Sequence, residues 1–189
     1  DLGQDREPLV AAHAAERPTM PLILCEYSHA MGNSSGGLKE YWDIFYSGTN
    51  AQGAFVWDWV DQGIRQPVPP EYQASSGQKT FLAYGGWWEN RAGVHNDNNF
   101  CMNGLVSADR KPHPGLEAIK YVYRYIHASP VDPASGRVRI RNRFDFVNLK
   151  DLAQGLWEVT ADGRRVASGL LPDLDIAPGE EIELTLPLP

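Results

Sequence analysis

Residues 22–34 read LILCEYSHAMGNS, and this stretch decides how the first half of the chain folds. Its first four residues are apolar and follow Pro21, which is typical of a short strand buried on both faces. Glu26 ends the apolar run, and a loop rich in small residues follows from His29 to Gly37. The stretch therefore predicts a buried strand that carries a carboxylate at its C-terminal end.

The residues after this loop complete a β-α-β unit. Four apolar side chains recur at the spacing of one helix face: Leu38, Tyr41, Trp42 and Phe45. Gly48 ends this helix, and residues 53–59, GAFVWDW, predict a second buried strand. Strands joined by a helix lie parallel in one sheet, so the unit indicates an α/β fold. In a (β/α)8 barrel, function concentrates at the C-terminal strand ends, which here hold Glu26-Tyr27 and Asp58-Trp59.

In the rest of the chain, the pattern of apolar residues changes near His127. Residues 62–115 show no clear periodicity and predict a long functional loop. A closing helix follows, with apolar residues at helical spacing: Leu116, Ile119, Tyr123 and Ile126. We therefore expect residues 1–126 to be the C-terminal portion of a (β/α)8 TIM barrel.

After His127 the apolar residues alternate with polar ones, as in half-exposed antiparallel strands. The first such strand alternates arginines with four apolar residues: Val138, Ile140, Phe144 and Phe146. We interpret these arginines as a solvated strand face. Asp162-Gly163 is typical of a hairpin turn. Residues 127–189 are therefore expected to form a truncated all-β immunoglobulin-like sandwich.

The composition argues against several classes of function. The net charge is -7 and the pI is about 5.2, whereas nucleic-acid binding needs a basic surface. No apolar run is long enough to cross a membrane, and no signal-peptide pattern is present. Cys25 and Cys101 imply no disulfide framework, and we expect both to be buried and reduced. A cytoplasmic protein with neither a nucleic-acid nor a membrane partner fits these features.

The segment at residues 25–34, CEYSHAMGNS, closely resembles the nucleophile segment of bacterial β-galactosidases in glycoside hydrolase family 2. The resemblance continues in the right order through GAFVWDWVDQ (53–62), AYGG (83–86), ND (96–97), FCMNGL (100–105) and ADRKPHP (108–114). Several long blocks in order are far more specific than one short motif. The resemblance implies a retaining glycosidase that removes terminal β-D-galactose, as from lactose, by double displacement.

The resemblance also implies roles for three residues that would contact the sugar. Glu26 matches the nucleophile that attacks the anomeric carbon. His29 matches a residue that binds galactosyl hydroxyls, and Trp57 matches the aromatic floor beneath the sugar. A neutral sugar offers hydroxyls and C–H faces, so these side chains are chemically suitable.

A sodium site is implied in the same way. The side-chain oxygen of Asn103, which also binds substrate, and the backbone carbonyl of Phe100 match sodium ligands beside the galactose 6-hydroxyl. Asn96 and Asp97 fall in the shell that supports this site. Carbonyl and amide oxygens are hard ligands, which suits an alkali or alkaline-earth cation. The family also uses magnesium, whose ligands are expected upstream of this chain.

The second carboxylate of the reaction has no match in this chain. A retaining glycosidase places its acid/base carboxyl about 5–5.5 Å from the nucleophile. In the family this residue lies in an Asn-Glu segment before the nucleophile, and no such segment precedes Glu26. The later glutamates are expected in helices or loops that do not face it: Glu40, Glu71, Glu89 and Glu117. We expect an interior stretch of a longer, homo-oligomeric protein, inactive and poorly folded by itself.

Residues 87–95 depart from the family pattern. The family commonly continues Tyr-Gly-Gly with an Asp-Phe-Gly-Asp type of sequence, whereas Trp87-Trp88-Glu89-Asn90 stands here. This change leaves the Glu26 segment untouched, but the local ion and loop geometry and the aglycone preference of the family do not carry over to residues 87–95.

Other interpretations stay open from residue types alone. Trp57 and Trp59 suit a core, His29 suits a loop, and His113 between two prolines suits a rigid turn. A zinc site from His95, Asp97, Cys101 and His113 has no compact ligand spacing to support it. Another family 2 glycosidase, a β-glucuronidase or β-mannosidase, is the nearest functional alternative. A non-catalytic carbohydrate-binding module built on the sandwich is the alternative from a different class.

Overall fold

The structure is a computed structural model that describes residues 7–48, 50–88, 101–152 and 154–188. It divides into two compact units, Asp1–Val122 and Tyr123–Pro189. The boundary between them lies four residues before the one expected from the sequence, where the period of the apolar pattern changes. In the described ranges no helix is both long and apolar enough to cross a membrane.

The predicted β-α-β unit forms the centre of the first unit. A leading helix precedes it, and the four elements are α1 (Glu7–Glu16), β1 (Leu22–Tyr27), α2 (Leu38–Ser47) and β2 (Ala51–Val56). β1 and β2 pair in parallel as a two-stranded sheet, which is the α/β arrangement expected. The described residues contain no closed barrel. β2 begins and ends earlier than predicted, because the backbone from Asp58 onward bonds to residues after Met102.

The two faces of this sheet differ sharply in their burial. On the helix face, which packs against α2, Tyr27 and Ala51 are each 3% exposed. The opposite face, called here the open face, carries Ile23 and Phe55, which are 54% and 67% exposed. The prediction of strands buried on both faces was therefore wrong. Cys25, predicted to be buried, is exposed for the same reason, because none of the described elements covers the open face.

The long loop predicted for residues 62–115 was also wrong in part. A small antiparallel hairpin lies there, formed by β3 (Ile64–Pro67) and β4 (Thr80–Ala83) around helix α3 (Pro70–Ser76). A short 3₁₀ helix follows at Gly85–Trp88, and α4 spans Pro114–Val122. Strands of four residues are too short to show alternation, and α3 buries none of its residues, so no periodic signal marked them. The closing helix ends before Ile126, which instead begins a strand.

The second unit consists of antiparallel strands. They are β5 (Ile126–Asp132), β6 (Arg137–Asn142), β7 (Leu156–Ala161), β8 (Arg164–Leu170) and β9 (Glu181–Thr185). β5, β6 and β9 form one sheet, and β7 pairs with β8. The hairpin predicted at Asp162-Gly163 joins β7 to β8, and both residues have the positive φ angles that its tight turn requires.

β6 is shorter than the alternating pattern predicted. Phe144 and Phe146 lie beyond its end, and Phe146 is 95% exposed. The cause is the fully buried side chain of Asn142, which accepts a hydrogen bond from the Phe144 N–H and donates to the carbonyls of Val147 and Ile176. These bonds turn the chain out of the sheet.

The arginines of β6 form the solvated face that the sequence indicated. They are half exposed and pair across the sheet with Glu181 and Glu183 of β9. The hydrogen bond from Arg139 to Glu183 raises the pKa of the arginine above its ordinary value. The core of this unit combines Ile140, from the opposite side of the sheet, with three residues from outside the strands: Leu149, Leu174 and Ile176.

Replacing Ile176, which is 0% exposed, should destabilise the second unit through the cavity left in this core. Ile176→Ala is expected to lower the free energy of unfolding by about 2–5 kcal/mol. The matched control Val166→Thr, on the exposed side of β8, should change it by less than about 0.5 kcal/mol. Hydrogen exchange of peptides from residues 123–188 measures both effects, and equal protection in the two variants would contradict this core.

His127 should make the second unit less stable in mild acid. Burial lowers the pKa of His127 below its ordinary value of 6.5, and the positive charges of Arg124, Arg143 and Arg141 lower it further. A lowered pKa means that the unfolded state binds the proton more readily. The stabilisation is therefore complete above about pH 6.5 and is lost as the pH falls through the folded pKa. In hydrogen exchange corrected for intrinsic rates, His127→Gln should flatten this dependence.

Candidate active site

Glu26 reaches the open face because of an irregularity in the β1–β2 ladder. Leu24 pairs with Ala54 and Tyr27 pairs with Val56, so three steps along β1 match two along β2. The extra residue is a β-bulge, a feature that re-aims a side chain. Without it, strict alternation would put Glu26 on the helix face with Leu24. With it, Tyr27 takes the helix face and Glu26 is exposed on the open face.

An aromatic cluster on α2 holds Tyr27 in place. Its ring meets Tyr41 edge to face with the centroids 5.3 Å apart, and its hydroxyl accepts a hydrogen bond from Trp42 Nε1 at 3.1 Å. Tyr27 is 3% exposed and Tyr41 is 1% exposed. The side chain next to Glu26 is thus anchored on the opposite face, which fixes the direction of Glu26.

Trp57 lies on the open face at the end of β2. Val56 pairs with Tyr27 on the helix face, so the next residue projects to the other side. Its ring is 43% exposed. The Trp57 N–H donates to the Tyr27 carbonyl at 3.1 Å, and its own carbonyl accepts from the Ala30 N–H at 2.7 Å. These two bonds tie the loop after β1 to the end of β2.

His29 and Asn103 meet although 74 residues separate them. Asn103 Nδ2 lies 3.1 Å from His29 Nε2. An amide nitrogen only donates, so His29 Nε2 is the acceptor in this contact. Ser28, the residue before His29, has a φ of 50°.

The side-chain oxygen of Asn103 has the properties of a ligand atom. Asn103 is 3% exposed, and its Oδ1 has no hydrogen-bond partner among the residues that the structure describes. A buried acceptor without a partner costs about 1–3 kcal/mol. A cation or a substrate hydroxyl at this atom would remove that cost. This amide oxygen is a hard ligand atom of the kind that an alkali or alkaline-earth cation takes.

A backbone ladder places Asn103 beside the end of β2. Asp58 N–H donates to the Asn103 carbonyl at 2.7 Å, and Leu105 N–H donates to the Asp58 carbonyl at 2.9 Å. Farther along the chain, Asp109 forms a salt bridge with Arg65 of β3. Hydrogen bonding to Arg65 lowers the pKa of the Asp109 carboxyl and raises that of the guanidinium.

Several predicted residues lie outside the described ranges. They are Phe100, Asn96 and Asp97 of the sodium site, together with Glu89 and His95. Within the described ranges, no group of three or more His, Cys, Asp or Glu residues could hold a metal ion. Trp87 is described: it stacks edge to face on Phe81 and remains 45% exposed.

Two residues that hydrogen-bond to the backbone of this site were not predicted to have a role there. Asp61 is buried and bonds to the backbone of Gly104, and His113 bonds to the same residue rather than serving only as a turn. The sequence feature that could have indicated Asp61 is its position four residues after Trp57, in the segment that follows β2. A single aspartate after a strand is too common for that signal to stand out.

The family models match both units. Residues 4–128 match the model described as "Glycosyl hydrolases family 2, TIM barrel domain". The chain belongs to glycoside hydrolase family 2. Residues 138–189 match the model "Beta-galactosidase, domain 4", so the family resemblance read from the sequence is confirmed.

Two curated relatives in this family carry the name "Beta-galactosidase". The protein of Priestia megaterium is 39% identical over 181 residues, which are 95% of this chain and 16% of the relative. The protein of Photobacterium profundum is 42% identical over 151 residues, 79% of this chain and 14% of the relative. This chain thus spans a small part of the length of each family 2 relative.

Proposed function

We propose that this chain is a segment of a retaining β-galactosidase in which Glu26 is the nucleophile. The observation that carries the proposal is the bulge in β1, which turns Glu26 onto the open face that also holds Trp57. A carboxylate and an exposed aromatic ring at the ends of parallel strands suit attack on a sugar that rests on the ring. The names of the two relatives support a β-galactoside as the substrate.

The proposed architecture follows from the position of α2. In a (β/α)8 barrel the helices form the outer ring and the other face of each strand points into the barrel. The open face would then be the interior, with Glu26 at its mouth. Residues 1–126 would be the C-terminal portion of that barrel, and residues 127–189 the beginning of an immunoglobulin-like sandwich. The antiparallel pairing of β5, β6 and β9 supports the latter.

The reaction assigned to Glu26 is a double displacement. Its carboxylate attacks the anomeric carbon, and the bond from that carbon to the aglycone oxygen breaks as a second carboxyl group protonates the oxygen. The same second group, from outside this chain, then takes a proton from water. The water oxygen attacks the anomeric carbon and releases galactose and Glu26. Trp57 would hold the C–H face of galactose, and His29 and Asn103 would bind its hydroxyls.

Asn103 is also the proposed holder of a sodium ion, together with the Phe100 carbonyl. Asn96 and Asp97 would support that site. The buried, unpartnered Oδ1 of Asn103 favours this assignment. A bound cation would supply fixed positive charge beside the galactose 6-hydroxyl. A magnesium ion would be held by residues outside this chain.

The setting of the complete protein is part of the same proposal. The net charge of -7 and the free thiols of Cys25 and Cys101 favour a cytoplasmic protein that does not bind nucleic acid. The family resemblance favours a homo-oligomer. The chain by itself would be inactive, because the second carboxylate of the reaction lies outside it.

In the complete enzyme, Glu26→Gln should lower kcat for a nitrophenyl β-galactoside by about 10³-fold or more, because an amide cannot form the glycosyl ester. The matched control is Glu40→Gln on the exposed side of α2, which should keep wild-type kcat and KM. A 2-deoxy-2-fluorogalactoside should label Glu26, located by peptide mass spectrometry.

Other results of this experiment would separate the alternatives. Normal hydrolysis by the Glu26→Gln variant, or a label on another residue, would reject the nucleophile assignment. Faster turnover of a glucuronide or a mannoside than of the galactoside would assign a different family 2 activity. Sugar binding without any hydrolysis by the wild type would favour a carbohydrate-binding module.

Sodium should lower KM in the wild type and have little effect in Asn103→Ala. Loss of a ligand worth about 1.5–3 kcal/mol corresponds to a rise of about 10–100-fold in KM at saturating sodium. Choline at equal ionic strength is the control for general salt effects. The melting temperature gives a second readout, because sodium should raise it in the wild type alone. An equal sodium response in both proteins would contradict the assignment.

A further inference from the structure

Asp61 is the one charged residue that is buried among the residues described, with 6% exposure. Removing a carboxylate from water is costly unless hydrogen bonds or a cation compensate it. The reaction assigned to Glu26 does not use Asp61. The burial of Asp61 must therefore be explained by the groups that its side chain contacts.

Asp61 holds the peptide group that follows Asn103. Its Oδ1 accepts a hydrogen bond from the Gly104 N–H at 2.8 Å. Its own N–H donates to the Val106 carbonyl at 2.9 Å, so the side chain and the backbone of Asp61 both bind the same segment. Its Oδ2 lies 3.6 Å from His113 Nε2.

His113 holds the other side of Gly104. Its Nδ1 lies 2.9 Å from the Gly104 carbonyl, and only a protonated ring nitrogen can bond to a carbonyl oxygen, so Nδ1 is the donor. Both polar groups of Gly104 are thus bound by side chains that also face each other. The backbone is close here as well: a Cβ on Gly104 would lie 2.1 Å from the Asp61 nitrogen. Only glycine fits this position.

Asn103 is attached directly to this fixed residue. Its carbonyl, which belongs to the same peptide group as the Gly104 N–H, is bound by the Asp58 N–H, so both polar atoms of the peptide group that follows its Cα are held. The remaining freedom of its side chain is limited by burial and by the contact with His29. A shift of Gly104 would move the Asn103 Oδ1 that the proposed function assigns to sodium and substrate.

We propose that Asp61 is a positioning residue, which with His113 orients Asn103 for the cation and the sugar. This inference rests on the proposed function and adds a residue to the same site. Asp61 itself does not contact the reacting atoms. Its effect is carried by the Gly104 peptide group.

The test compares Asp61→Ala with Asp61→Asn in the complete enzyme. Alanine leaves the Gly104 N–H unpaired, so the sodium concentration for half-maximal effect and the KM should each rise about tenfold or more, with a smaller change in kcat. Asparagine keeps an oxygen for Gly104 and an N–H for His113 Nε2, and should stay within about threefold of the wild type. The sodium-induced rise in melting temperature should be lost in Asp61→Ala and kept in Asp61→Asn.

A control separates positioning from a general loss of stability. Asn142→Ala removes a buried side chain that bonds to two backbone carbonyls in the second unit. It should lower the melting temperature and leave the sodium response unchanged. If Asn142→Ala shifts the sodium requirement as much as Asp61→Ala does, the positioning role is overturned.

His113→Leu keeps the inference testable if Asp61→Ala does not fold. His113 is 39% exposed, so its replacement is tolerated more easily, and a smaller shift in the same direction is expected. An unchanged sodium requirement in this variant would overturn the role of the pair. Failure of the proposed function is distinguished by the wild type, which would then lack a sodium response or a label on Glu26.

Discussion

The position of Glu26 depends on one local constraint, the β-bulge between Leu24 and Tyr27. Tyr27 is buried among the aromatic rings of α2, and that burial stabilises the bulged arrangement. Because Tyr27 must face the helix, the residue before it is turned to the other side. A packing preference on one face of the sheet thus decides which side chain appears on the opposite face.

The rest of the site is built by backbone hydrogen bonds that connect three separate segments. Trp57 bonds to both Tyr27 and Ala30, and Asp58 bonds to Asn103 and Leu105. Each of these segments would be an ordinary loop alone. Together they form a ladder that continues β2 beyond its last regular pair. Rigid backbone is what a binding site needs, because side chains held to within about 0.5 Å keep their geometry when a ligand arrives.

Polar burial in the first unit is concentrated in this same region. Ser28, Asp61 and Asn103 are its buried polar residues among those described. Asp61 is compensated by hydrogen bonding, whereas the Oδ1 of Asn103 is not. This contrast separates a residue that stabilises the site from a residue that offers an atom to a ligand. It also explains why the two residues differ in the roles we assign to them.

Features that depend on neighbouring residues could be predicted from the amino-acid sequence. The apolar run before Glu26, the helical spacing of Leu38 to Phe45 and the turn at Asp162-Gly163 each predicted an element that is present. Family blocks in the right order added the candidate site residues. Local patterns also failed where the chain was held by distant contacts: β6 ends before Phe144 because Asn142 bonds to Ile176.

Long-range packing of the chain determines which side chains come into contact. The bulge depends on the register between two strands, and the pattern of apolar residues within β1 does not predict it. The contact of His29 with Asn103 joins residues 74 positions apart, and the clamp of Asp61 and His113 on Gly104 joins two further segments. The spacing of residues along a chain indicates helices, strands and turns. It carries no information about which loops are brought together when the apolar side chains are buried.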